Sequence, residues 1–458
     1  EISACLVGSE MCIRDRLTAA RVLMGDSLGF HIIFVLFGLT LPVLVVWFEY
    51  MAIRRKDSKL RDVAKFWSKI MALLVITGVL SGTVIALQMS LVWPGILKFG
   101  GEVIGLPFML ETYFFLIEAV FLALYMSTWE NKRVSAWLHW FFGIMIVLGS
   151  TGSAYVITSI NGWMNLPTGF DIIDGKFANV DVLAAMFSTP ALVTFVHSMP
   201  GYYVAAGLFI TGLYTWRLFK TRKSELGSAK HKLDYFIVQK LMLFTAVALV
   251  FSAITADLTG KYLAQNEPEK LAALELNYET RSNAPLLIGG VADGNGGVMG
   301  PYFEIPSALS LLACNTPGCT VEGLSETAKD LQPPLYIHTF FDIKMTLITI
   351  LAVVVPLYFI VRWKRPELLR NKLLLGGFVA VSWFGLAIVE LGWMMTEIGR
   401  QPWAVRGYVT TAEALTKTHD VSTFGYLFPA AYVVLFLVTY LAIRQLIKQE
   451  KAKKGAVL

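Results

Sequence analysis

The chain has 458 residues, enough for about three soluble domains, but its composition excludes them. Hydrophobic residues make up 56%, charged residues 16% and mean hydropathy is +0.61, whereas soluble domains carry roughly 25% charged residues. A disordered chain, a secreted disulfide scaffold and an ordinary soluble enzyme are thereby excluded in favour of a polytopic membrane protein, and the net charge of +6 implies no nucleic-acid partner.

In chain order, the segment from Glu1 to Arg16, which contains Cys5 and Cys12, reads as neither a signal peptide nor a span. Its CLVGSEMCIRDR resembles a conceptually translated sequencing adapter, so residues 1–16 are set aside as non-native, with the native start expected to be missing. A membrane span needs about 20 mostly apolar residues. Nine stretches qualify, at 27–53, 67–92, 104–127, 135–160, 190–216, 234–257, 335–361, 374–397 and 421–443. The expected fold is an all-α integral membrane protein: six helices within 17–257, a long loop at 258–334, three helices within 335–444, and a basic tail at 445–458.

The long loop opens with a helix-like PEKLAALELNYETR and then turns glycine-rich, IGGVADGNGGVMGP. A loop of this length between membrane helices is expected to be functional or mobile. Cys314 and Cys319 form a C-x4-C pair there; they suit a disulfide if the loop faces an oxidising compartment, and no zinc spacing is present.

Lysine and arginine set the orientation. The loop after the first span carries Arg54, Arg55, Lys56, Lys59, Arg61 and Lys65, and those after the third, fifth and seventh are also basic. The loops after the second, fourth and eighth are poorer. The N-terminus and the long loop are therefore expected outside, and the C-terminus inside.

A charge at the centre of a span costs about 2.5–3.5 kcal/mol on insertion scales, so each needs a reason. The candidates are His31, Glu111, Glu118, His197, Asp342, Lys344, Glu390 and Glu397, and the orientation places nearly all of them in the outer half of the membrane. A lone membrane histidine is more often a helix-to-helix hydrogen bonder than a ligand. Two histidines with a nearby methionine shift that balance, because His and Met are haem axial ligands. Glu111 and Glu118 lie seven apart, as do Glu390 and Glu397, so each pair shares a helical face in the manner of a proton relay. His139, His231 and His419 fall at span ends or in loops and are expected to be solvated. Arg400, in the GRQPW of Gly399 to Trp403, either pairs with Glu397 or meets a haem propionate.

These residues in this order resemble subunit I of the cytochrome bd quinol oxidases. The resemblance runs from Arg21 to the end of the spans. It is carried by FHIIF (Phe30 to Phe34), GLPFMLETYFFLIE (Gly105 to Glu118), NGWMNLPTG (Asn161 to Gly169), FVHSMPGYYV (Phe195 to Val204), EKLAALELNYET (Glu269 to Thr280) and VELGWMMTEIGRQPW (Val389 to Trp403). It implies a prokaryotic cytoplasmic-membrane enzyme that oxidises quinol at the outer face and reduces O2 to water, building membrane potential without pumping. The implied cofactors are a low-spin haem b, a high-spin haem b and a haem d, or a further haem b in its place. By the same resemblance, His31 and Glu397 are axial ligands of the two active-site haems and His197 is a ligand of the low-spin haem. Lys270 and Glu275 belong to the quinol-binding loop, Glu111 and Glu118 to proton delivery. Trp393 is the aromatic between haems, and Arg400 the propionate contact. A second subunit is implied, with a small single-helix subunit beside it.

Three positions depart from the family pattern. The low-spin haem's methionine belongs early in the seventh span, where HTFFDIKMTL places Lys344; Met345 is expected to ligate after a one-residue slip, since a protonated lysine cannot. An acidic residue near the outer end of the second span is Ala86, leaving Gln88. A glutamine after the N-terminal arginine is Leu23. Rival readings are a haem-binding quinone-linked anchor without oxygen chemistry, a non-haem transporter, and a paralogue that has lost the low-spin haem.

Overall fold

The computed structural model describes residues 2–174, 176–294, 296–417 and 421–452. Among them, nine helices are long and apolar enough to cross a membrane, as the apolar windows predicted. The membrane helices are α1 (Ile2–Arg55), α2 (Ser58–Leu91), α3 (Pro94–Thr128), α4 (Ala136–Asn165), α6 (Thr189–Lys220), α7 (Ala229–Asn266), α10 (Ile337–Lys364), the broken pair α11 (Lys372–Val381) and α12 (Phe384–Ile398), and α14 (Val421–Ala452). Short helices α5 (Val182–Met186), α8 (Pro268–Glu275), α9 (Ala308–Cys314) and α13 (Thr411–Ala414) lie in the connections. Polar residues begin the helices: Asp57 accepts from the Lys59 and Leu60 amides, Asn371 from those of Leu373 and Leu374, and Ser228 from that of His231, satisfying otherwise unpaired N–H groups.

The chain divides into two compact units. The first comprises residues 1–163, 167–188 and 407–458; in it α1 packs along α2 and against α14, with Thr77 and Thr439 hydrogen-bonded at 2.8 Å. Glycines on α4 bring it close to α3. A methyl group on Gly149 would lie 2.9 Å from the Glu118 amide nitrogen, and one on Gly152 would lie 2.3 Å from the Phe114 ring. Small residues permit such approach in membranes, where no hydrophobic force drives helices together.

The second unit comprises residues 164–166 and 189–406. Here α6 packs on α7, α11 and α12, while α10 packs on α12. Close approach again uses glycine: a methyl on Gly385 would meet the Ala205 backbone at 2.6 Å. The sixth membrane helix runs to Asn266, nine residues beyond its predicted end, so the long loop is shorter than expected. The predicted helix in the loop stops at Glu275, where Leu276 takes a left-handed conformation. The glycine-rich run is a β-hairpin, β2 (Leu286–Ala292) with β3 (Val298–Ile305), irregular between Gly289 and Val291. A short ladder pairs β1 (Arg281–Ser282) with β4 (Thr320–Val321), and Cys314 is bonded to Cys319.

Candidate functional site

In the first unit, His31 is half-buried on α1, its Nδ1 turned to the Ser81 hydroxyl at 2.8 Å. A methyl on Gly82 would lie 3.0 Å from the His31 ring, so the glycine makes room for the imidazole. With Nδ1 engaged by a hydroxyl, Nε2 is left to meet a metal, the usual division of labour in a ligating histidine. Near the same end of α2, Gln88 is fully buried and donates to Ser27 Oγ at 2.6 Å, while Ser27 donates to the Leu23 carbonyl. The two departures at Leu23 and Ala86 thus lie around one connected contact between α1 and α2. Arg21 donates to Thr411 Oγ1 at 2.7 Å.

Glu111 is half-buried on α3 and Glu118 is buried two turns further on. A third residue at the same spacing was missed: Tyr125 is fully buried and donates to Glu49 Oε2 at 2.5 Å. Glu49 also meets His139 Nδ1 at 2.6 Å, and His139 Nε2 faces the Tyr125 carbonyl at 3.0 Å. The expectation that His139 is solvated is therefore wrong: Glu49 and the Tyr125 backbone supply its polar partners inside the fold. Glu49 lay within the first predicted span, so its charge was a usable signal. A cavity lined by Glu49, Lys56, Arg61, Trp129, Glu130 and His139 sits against this cluster, at the basic end of the helices. His231 is half-buried at the start of α7; His419 lies outside the described residues.

In the second unit, His197 is half-buried on α6, with Nδ1 3.4 Å from Thr255 Oγ1. Trp393 on α12 donates from Nε1 to the Tyr202 hydroxyl at 2.7 Å, which locks the indole one turn beyond His197. Glu390 carries a buried carboxylate oxygen with no hydrogen-bond partner among the described residues. Arg400 is 7% exposed and donates from Nη2 to Glu397 Oε2 at 2.7 Å. Its Nε and Nη1 are buried without an acceptor among the described residues. A guanidinium is not left so without cause, because an unmet buried donor costs about 1–3 kcal/mol. Two unmet donors in a planar fork suit a second carboxylate, and a haem propionate is one. The donor set, His31, His197 and Glu397 with Arg400, fits haem in kind. Met345, the expected further ligand, lies on α10 beside Lys344. It is 42% exposed, whereas Lys344 is half-buried, its Nζ 3.4 Å from where a methyl on Gly392 would lie.

Lys270 and Glu275 lie at opposite ends of α8. Lys270 is buried and donates to Asn165 Oδ1 at 2.7 Å, pairing as well with Glu267. Arg406 binds Glu269 at 2.7 Å and the Asn266 carbonyl at 2.6 Å, pinning the start of α8. Glu275 is 1% exposed; among the described residues neither carboxylate oxygen makes a well-formed hydrogen bond, and only the Leu287 backbone amide lies near enough to favour its ionised form. Burial, then the Asp342 carboxylate, push its pKa up to about 8. Asp342 accepts from the Gly289 amide at 2.6 Å and lies 3.3 Å from His338 Nε2, and His338 Nδ1 faces the Leu274 carbonyl at 2.6 Å. Sequence reading passed over His338, although its four-residue spacing from Asp342 at a helix start was a signal.

Residues 19–451 match the family described as cytochrome bd terminal oxidase subunit I. The chain is similar to a putative cytochrome bd menaquinol oxidase subunit I of Bacillus subtilis, at 33% identity over 92% of this chain and 94% of that one. It is also similar to the cytochrome bd ubiquinol oxidase subunit 1 of the same organism, at 26% identity over 96% and 94%. Among solved structures, bd oxidase from Geobacillus thermodenitrificans matches with a TM-score of 0.88 and 34% identity, covering 95% of this chain and 99% of the other. A family match across nearly the whole chain leaves no room for the anchor or transporter readings, and the chain belongs to the cytochrome bd terminal oxidase subunit I family.

Proposed function

We infer that this chain is the haem-bearing subunit of a respiratory quinol oxidase that takes electrons from quinol on the outer side of a bacterial cytoplasmic membrane and delivers them to O2. Within the established family, the observation that carries this reading for this chain is the Arg400–Glu397 corner. A buried guanidinium there pairs with a carboxylate and keeps two donors unmet, as a site built for a propionate beside an iron ligand would. His31 and Glu397 hold the two active-site haems and His197 holds the low-spin haem b; of the active-site pair, one is haem b and the other haem d or a further haem b. Haem iron supplies one-electron transfer and oxygen activation when bound.

The chain's own residues handle substrate and protons. Lys270, held by Asn165 and Glu267, fixes a cation beside the quinol head group. Glu275 serves as base, its pKa near 8 lying close to the operating pH, where a base works best. Glu118 and Glu111 bring protons to the oxygen-reducing side from the inner face, along one helical stripe that Tyr125 and Glu49 extend inward. Charge on the loops supports the N-terminus and long loop outside and the C-terminus inside. The family reading brings a second subunit and a small single-helix subunit as partners.

The test is a dithionite-reduced minus oxidised optical spectrum of the purified complex, with oxygen uptake driven by quinol. Haem bands and quinol-dependent uptake are expected. A complex without haem, or one that consumes no oxygen with any quinol, would refute the reading.

A further inference from the structure

We propose that His338, at the start of α10, is the positioning residue for Glu275: it ties the end of α8 to strand β2 and so holds that carboxyl in place for the quinol. The proposal rests on the reading of Glu275 as the quinol's base and adds the group that holds the base. Glu275 is the last residue of α8. The carbonyl just before it, on Leu274, belongs to the last helical turn, whose carbonyls no amide of the same helix can reach. The His338 ring meets that carbonyl from another helix, with Nδ1 at 2.6 Å. Its Nε2 turns to the Gly289 carbonyl of β2 at 3.1 Å. Carbonyl oxygens only accept, so ring N–H groups make these ties. One turn further along α10, Asp342 accepts from the Gly289 amide at 2.6 Å and lies 3.3 Å from Nε2.

The two tied segments are the ones that flank Glu275. Leu274 directly precedes it, and Leu287, two residues before Gly289 on β2, carries the amide nearest its carboxylate. His338 therefore spans the gap whose width sets how close that amide comes and whether water enters. The ties have no ready substitute. His338 is 1% exposed, and a carbonyl stripped of its donor at such a site gains no water in exchange. Apolar packing alone would hold the junction less exactly: Ile337 shares a buried cluster with Ala273 and Leu274, and such contacts can slide, whereas hydrogen bonds are directional. The titratable groups at this junction are Asp342 on α10 and Glu275 on α8; β2 (LLIGGVA) brings none.

The test uses the purified oxidase complex with four variants: His338→Ala, His338→Asn, His338→Gln and Glu275→Gln. Quinol-driven oxygen uptake is measured across pH, haem per complex is counted, and the dithionite-reduced enzyme is reoxidised by O2 in a single turnover that bypasses the quinol site. In His338→Ala the plateau of kcat/KM for quinol should fall about 10- to 100-fold, the usual effect of misplacing a reacting group by an ångström or less. The midpoint of its rising limb should fall by about one pH unit as water reaches Glu275. Haem content and the single turnover should stay unchanged, which a general loss of fold would not allow. His338→Asn, whose amide can stand where Nδ1 stood and hold the Leu274 carbonyl, should restore most of the plateau and the midpoint; His338→Gln, reaching instead toward Gly289, should restore less. An unmoved midpoint and plateau in His338→Ala, or a single turnover that falls in step with quinol oxidation, would overturn the assignment. If His338→Ala fails to assemble, the other two decide, and His338→Asn performing no better than His338→Gln overturns it. A rising limb that survives Glu275→Gln overturns the base reading beneath the proposal; a limb lost in Glu275→Gln but indifferent to His338 overturns the proposal alone.

Discussion

Glu275 offers the sharpest test of the quinol chemistry. Its carboxyl is buried, and burial and the Asp342 carboxylate outweigh the Leu287 amide to push its pKa up to about 8, so at pH 7 only about one molecule in ten carries the base in its ionised form. The sign follows directly. A base must be deprotonated to accept quinol's proton, so kcat/KM for quinol rises about tenfold from pH 6 to pH 7 and levels off above pH 8. Glu275→Gln abolishes this limb and lowers kcat/KM by about 10²–10⁴-fold at high pH, the usual contribution of a positioned base. Asp342 provides an independent check, since its negative charge helps hold the Glu275 pKa up. Asp342→Asn keeps an acceptor for the Gly289 amide but removes the charge, and should move the midpoint down by about one unit, making the enzyme faster at pH 7. The assay is oxygen uptake across a quinol series at each pH, with reduced spectra confirming full haem content. A midpoint that stays in place in Asp342→Asn, or a rising limb that persists in Glu275→Gln, would refute the reasoning.

Further outcomes follow from other parts of the fold. Replacing Arg400 with Gln should lower haem content and make Glu397 ligation labile, with Lys recovering only part of the loss because it lacks the planar fork; haem stoichiometry reads both. His139→Ala strips a partner from the buried Glu49 carboxylate and should destabilise the purified complex by about 3–5 kcal/mol, seen as a lower midpoint in thermal unfolding, whereas Glu49→Gln with His139→Ala together should cost less than either change alone. Opening the Cys314–Cys319 ring, which spans a sequence separation of 5, removes about 2 kcal/mol of chain-entropy restraint; limited proteolysis between α9 and β4 should accelerate, while the haem spectrum stays unchanged.

Much of this architecture was legible in the sequence for simple reasons. A bilayer demands long apolar runs, so the nine windows map onto nine helices among the described residues, and a charge placed in such a run, as at Glu111 and Glu118, stands out. The seven-residue spacing of Glu111 and Glu118 needed only the pitch of a helix. The unread parts depend on partners remote in sequence or on helical phase. Glu49 and His139 are ninety residues apart; His139 read as a span-end residue and Glu49 went unread inside the first span until α1, α3 and α4 were assembled. The choice between Lys344 and Met345 turns on which way α10 faces. Polar and apolar residues alternate irregularly over its first turns (IHTFFDIKMT), so periodicity could not give its phase. Instead, phase is set by His338 and Asp342 reaching the loop at Leu274 and Gly289. The glycine-rich run read as loose chain because glycine carries no strand signal; the hairpin instead uses Gly289 and Gly290 at positive φ to turn its irregular step.

The approach of α4 to α3 at Gly149 bears on how damage to this protein would present itself. Any side chain there meets the Glu118 backbone at 2.9 Å, so the position of the carboxylate proposed to carry protons is inherited through a residue that itself would handle none. A random-mutagenesis screen for respiratory loss should therefore recover Gly149 alongside the glutamates. Its alleles would pass for proton-delivery mutants: pigmented, assembled and slow. Revertants should map across the helix pair, to changes that let α3 draw back around Glu118 rather than to new acids, and that pedigree would separate a lesion of spacing from one of chemistry.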